Sequence, residues 1–159
     1  MQTEIYTKQR LGINGQISKA ESQYLATIQG VAIEDLTIGA PVIMGEQDGE
    51  VKAINDMSQQ SIGEKFLGFV VRDGYIPSCE TPTEIYKAGR NVTIITKGSL
   101  FLNKPAETEP KQGQRVSISK ADGGLNFVDN GAGETSGSLD SIWRVSAVEG
   151  DIIEITTQF

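Results

Sequence analysis

The feature that most constrains this chain is a recurring unit: a short β-branched run, a Gly-bearing turn, and a second run. Val42-Ile43-Met44 is followed by Gln47-Asp48-Gly49-Glu50 and then by Val51-Lys52-Ala53-Ile54. An Asp-Gly pair between two such runs signals a hairpin, because Gly supplies the positive φ that the reversal needs. Val92–Thr96 turns at Lys97-Gly98 into Ser99–Leu102, and Val116–Ser119 turns at Asp122-Gly123-Gly124 into Leu125–Val128. Ile142–Val148 turns at Glu149-Gly150 into Ile152–Thr156. Four hairpins in series predict an all-β fold. Phe66-Leu67-Gly68-Phe69-Val70-Val71 reads as a further strand, apolar on both faces and therefore central.

A second regularity lies inside the first. A turn Gly, two residues, and an apolar strand residue recur at Gly39–Val42, Gly89–Val92, Gly113–Val116 and Gly150–Ile153. The intervals are unequal, so this is no solenoid or propeller period. A turn geometry reused at barrel or sandwich corners fits, with the residue three places on facing inward. Helix is scarce. Ser18-Lys19-Ala20-Glu21 fits a capping box and allows one short helix around residues 19–26, in competition with a strand through Tyr24–Ile28. Residues 55–64, 73–88 and 129–138 read as loops, the second a long excursion containing Pro77 and Pro82.

The chain has 159 residues, 18 Gly and no His. A chain of this size buries roughly 70% of its unfolded surface, enough for a core without staples. The division expected is an N-terminal arm over residues 1–16 and a single β-barrel domain over 17–159. Net charge is −7, and residues 121–159 carry Asp122, Asp129, Glu134, Asp140, Glu149, Asp151 and Glu154 against Arg144 alone. Such a surface repels polyphosphate, so no direct nucleic-acid partner is expected. Residues 1–20 are mildly basic, with Lys8, Arg10 and Lys19 against Glu4. That pattern suits either a solvated terminus or an arm that docks on an acidic partner. The N-terminus lacks an apolar signal core and no stretch reaches the ~20 apolar residues that span a bilayer, so cytoplasmic synthesis and no membrane partner are expected.

Without His there is no Ser-His-Asp or Cys-His arrangement and no imidazole ligand. Cys79 is alone, beside Glu80 and without a local base, which suits neither a disulfide nor a nucleophile. Glu46, Asp48, Glu50, Glu107 and Glu109 cluster at turns, as solvated residues do, and Asp48-Gly49 lacks the alternating ligands of a calcium loop. The expectation is no catalytic residue, no metal and no cofactor. Trp143, Phe69, Phe101 and Phe127 read as core anchors. Tyr75 and Tyr86 fall in the long excursion, where half-buried tyrosines suit a subunit interface.

The succession of these phrases resembles the structural cement, or capsid decoration, proteins of tailed bacteriophages. It runs from Gly12-Ile13-Asn14-Gly15-Gln16-Ile17 through Ile38-Gly39-Ala40-Pro41-Val42, Phe66–Val71 and Tyr86-Lys87-Ala88-Gly89-Arg90-Asn91-Val92. Lys97–Phe101, Gly113–Val116, Trp143 and Gly150-Asp151-Ile152 complete it. Each motif alone would fit many β-barrels; the order carries the resemblance.

The resemblance implies a small β-barrel or β-tulip-like domain on the outer capsid surface of the virion. It further implies a homotrimer at local threefold positions, bridging neighbouring major capsid proteins. On that reading residues 1–16 are the capsid-binding arm, with Ile5, Tyr6 and Leu11 as apolar contacts and Lys8 and Arg10 as charged ones. An extended arm of this kind can add a strand to a capsid-protein edge. A second reading is a phage tail or baseplate β-barrel that binds a receptor or carbohydrate. A third, an enzyme of the trimeric β-barrel type, has no local cluster pairing a base with a nucleophile or metal ligand.

Overall fold

The computed structural model describes residues 12–18, 25–54, 66–72, 85–129 and 137–158, and these form twelve strands and no helix. In chain order they are β1 (Ala26–Ala32), β2 (Leu36–Thr37), β3 (Pro41–Met44), β4 (Glu50–Ala53), β5 (Phe66–Val70) and β6 (Ile85–Tyr86). The second half supplies β7 (Asn91–Lys97), β8 (Ser99–Asn103), β9 (Arg115–Ser119), β10 (Leu125–Val128), β11 (Ser138–Glu149) and β12 (Ile152–Thr156). Strands β1-β4-β3-β5-β7 close into a barrel, and β10-β9-β11-β12-β8 form a five-stranded sheet. A two-stranded ribbon pairs β2 with β6. The all-β barrel expected from the hairpin pattern is the fold observed, with a second sheet packed on the barrel.

Three of the four expected hairpins form: β3–β4, β9–β10 and β11–β12 are antiparallel neighbours. The fourth does not. β7 pairs with β1 and β5 inside the barrel, whereas β8 pairs with β12 in the other sheet. Only Gly98 separates the two strands, at φ +132°. One residue cannot complete the two-residue reversal that a tight hairpin uses. The chain steps from one layer into the other, and Gly98 is the corner.

The repeated Gly phrase does mark corners. Gly39, Gly89, Gly113 and Gly150 all have positive φ, between 57° and 93°. The residues three places later, Val42, Val92, Val116 and Ile153, are all buried. The alternation within the barrel strands then builds two cores. Val42, Val51, Val70, Val92 and Ile94 fill the barrel interior. Ile43, Phe69 and Ile95 point outward into a second core, shared with Val116, Trp143, Val145 and Ile153 of the five-stranded sheet. Strand β5 therefore has both faces buried, as its unbroken apolar run requires. Trp143 stacks edge-on against Phe69, with ring centroids 5.3 Å apart and planes at 89°.

Near the β2–β6 ribbon, Asp35 accepts from the Ala88 amide at 3.0 Å and the Lys87 ammonium at 3.2 Å. The backbone donor first, and then the lysine, hold its carboxyl below the usual aspartate range. Of the alternatives over residues 19–28, the strand is observed from Ala26 onward; residues 19–24 lie outside the described residues. So do residues 55–65, 73–84 and 130–136, which hold most of the three loops expected from sequence.

Candidate functional site

The last strand of the five-stranded sheet is β8, and an open strand edge is a template for pairing. Here the chain's own N-terminal segment covers it. Gly15 donates its amide to the Phe101 carbonyl at 2.8 Å, Phe101 donates back to Gln16 at 2.9 Å, and Ser18 donates to Ser99 at 2.9 Å. Ile17 bridges to Leu100 and packs against the core between the layers. Gly12 lies so close to the Phe101 ring that a Cβ there would overlap it.

Two polar fastenings flank this short ladder. At one end the Ser18 hydroxyl donates to one Glu154 carboxylate oxygen, and the Ser146 hydroxyl donates to the other at 2.6 Å. Glu154 is buried on the sheet face opposite Ile153 and Ile155, and the two donors make that burial tolerable. At the other end stands Asn14, buried where barrel and sheet meet. Its Nδ2 donates to the Ile38 carbonyl at 2.9 Å, and its Oδ1 accepts from the Asn103 amide at 3.0 Å. The Arg72 Nε donates to the Asn14 carbonyl at 2.9 Å.

Residues 12–18, the first five of which fall in the expected arm, lie against β8 and the barrel corner, whereas Ile5, Tyr6, Lys8, Arg10 and Leu11 lie outside the described residues. The missed signal was local: Asn14-Gly15 is a turn pair, and Gln16-Ile17 after it is the start of an edge pairing. Tyr86, expected near a subunit interface, is 3% exposed, belongs to the barrel core, and donates its hydroxyl to the Val71 carbonyl at 3.2 Å. Its ring therefore serves its own chain, with the Arg90 guanidinium 5.6 Å from its centroid. Tyr75, its expected partner in an interface, lies outside the described residues.

Beside Asn14, an open cleft of about 360 Å³ runs between the Ile38–Pro41 corner and the Asp122–Gly124 turn. Asp122 is the one ionisable residue among the described residues of its lining. The Gly124 amide, at 2.9 Å, and then Ser119 hold the Asp122 carboxyl below its ordinary range. An ionised acid without a second titratable group beside it does not make an acid–base pair. Among the described residues, no three of Cys, Asp and Glu are grouped to hold a metal ion.

The outer face of the five-stranded sheet offers Ile142, 64% exposed, at the register shift between β11 and β9. A bulge re-aims a side chain in this way. Arg115 and Asp140 pair beside it at 2.8 Å.

The described chain is thus an all-β body of two layers whose N-terminal segment pairs along the β8 edge. Comparison with known proteins gives the family. The model of the structural cement protein family (E217 gp24/Pam3 gp6) matches residues 1–158, and the chain belongs to that family. Its role is structural, in decorating and stabilising a phage capsid, and its place is the virion capsid. The second sequence reading, a tail or baseplate component, is set aside by this assignment. The fold is also that of a chain in the capsid of Myoviridae phage XM1, at 14% identity and a TM-score of 0.68, covering 99% of this chain and 96% of that one. No curated protein is significantly similar to the chain.

Proposed function

We propose that this cement protein binds the outer face of the assembled shell as a homotrimer and bridges neighbouring major capsid proteins, with residues 1–11 as its docking arm. The observation that carries the reading is the fixed root of that arm: residues 12–18 run along β8 and deliver residues 1–11 from a defined place on the sheet edge. An extended chain of that length reaches about 36 Å, far enough to cross onto a neighbouring protein. Ile5, Tyr6 and Leu11 supply apolar contact, while Lys8 and Arg10 suit an acidic docking surface. One arm per subunit makes the grip multivalent, so modest single contacts combine into strong retention. The protein works without catalysis, a reading supported by a sequence that holds no His and by a cleft whose described lining carries one acid.

Deleting residues 1–11 is expected to weaken binding to expanded, undecorated capsids by roughly tenfold or more. Thermal unfolding of the isolated protein is expected to stay unchanged, because the sealed β8 edge begins after the deletion. Undiminished binding in a pelleting or surface-resonance assay would sink the arm assignment.

A further inference from the structure

We infer that Asn14 is the positioning residue of the arm: a clamp that ties the arm's root to both layers and fixes the direction in which residues 1–11 leave. This rests on the arm reading above. Between the exposed Ile13 and the turn at Gly15, the Asn14 side chain is only 8% exposed. It joins three segments that are distant in sequence. The side-chain amide donates to the Ile38 carbonyl at the barrel corner and accepts from the Asn103 amide at the end of β8, while the backbone carbonyl of Asn14 accepts from Arg72 after β5. The surroundings are shaped for it. A Cβ on Gly39 would come within 2.7 Å of Asn14 Oδ1 and 2.9 Å of Leu102 Cδ2. At Gly15, φ is +79° and the carbonyl accepts from the Arg72 amide at 2.7 Å, so the backbone is held immediately after the clamp.

Direction explains why a clamp is needed there. A short strand on a sheet edge peels from its free end, one hydrogen bond at a time. Tension on residues 1–11 enters at Gly12, and among the described residues Asn14 is the first it meets whose side chain bonds both to the barrel corner and to the end of β8. Its bonds point into two different layers, so they resist together before the Gly15–Ser18 ladder is reached. An amide suits the position because it donates to Ile38 and accepts from Asn103 at once. Aspartate keeps the acceptor but sets a carboxylate against the Ile38 carbonyl; serine is too short to span both.

The test compares the full-length chain with Asn14→Asp, and with Asn14→Ser as the milder variant should the first fail to fold. Hydrogen exchange of the free protein is expected to quicken roughly tenfold or more at the Gly15 and Ser18 amides, with β9, β11 and β12 unchanged. Dissociation from expanded, undecorated capsids is expected to quicken roughly tenfold as well. A clamp that merely stabilised the fold would raise exchange throughout the sheet, and that outcome overturns the proposal. So does unchanged exchange at Gly15 and Ser18, or local loosening with no change in dissociation. Full capsid binding by the chain lacking residues 1–11 is a different failure, that of the arm reading itself.

Discussion

Trp143→Ala is expected to cost about 3–5 kcal/mol, the usual range for removing a buried Trp. Converted at 2–4 °C per kcal/mol for a chain of this size, the melting temperature falls by about 6–20 °C. Trp143 is 1% exposed and stands at the centre of the core between the layers. Barrel residues Ile43, Phe69 and Ile95 meet sheet residues Val116, Val145 and Ile153 in that core. The indole also supplies the partner for the edge-on contact with Phe69, and Phe66 in turn stands edge-on to Phe69 at 5.9 Å. The barrel interior is a separate cluster and keeps its own packing. The lost volume therefore lies at the layer contact, where it loosens one sheet from the other. Trp143→Phe keeps an aromatic ring for Phe69 and is expected to lose much less. Thermal denaturation followed by circular dichroism measures both; a loss under about 1 kcal/mol for the alanine variant would contradict the shared core.

Gly68→Ala is the second large effect, and its cause is steric. Gly68 sits in β5, between β3 and β7 in the closed barrel. A Cβ there would run into the Ile95 carbonyl oxygen, with the carbonyl carbon 2.8 Å away and Ile94 Cγ2 at 3.3 Å. The obstacle is backbone, and a closed barrel has no loose edge that can swing aside. We expect about 3 kcal/mol or more of destabilisation, or failure to accumulate folded protein. Gly49→Ala is the contrast: its φ is +84° but a Cβ there would meet nothing within 4 Å. That variant carries only the conformational cost of a left-handed alanine, about 1–2 kcal/mol. Equal melting temperatures for the two variants would contradict the close approach at Gly68.

Local chemistry was legible in the sequence where it is decided by neighbouring residues. Asp48-Gly49 specified a real reversal, and the spacing from Gly113 to Val116 placed an inward side chain correctly. Pairing between distant strands left no such mark. Lys97-Gly98 looks like the other turns, yet β8 finds its partner in β12, many residues later. The parallel pairing of β1 with β4 is equally non-local. The burial of Tyr86 was not legible for a related reason: it depends on the ribbon that β2 and β6 make, and its own two-residue strand gives no alternation to read. Asn14 and Glu154 were missed because buried polar residues are recognised by what they bond, and Asn14 bonds Ile38 and Asn103 while Glu154 bonds Ser18 at the other end of the chain.

The central claim, that this protein stabilises an assembled capsid, is tested most directly by calorimetry of expanded, undecorated capsids with and without saturating protein. A ligand that binds the assembled shell and not its separated subunits stabilises the shell by about 2.7 kcal/mol per site at a hundredfold excess over Kd. A higher melting transition is expected for the shell, rising with protein concentration until the sites fill. A transition that stays where it was at saturation, or equal binding to separated capsid subunits, would contradict it.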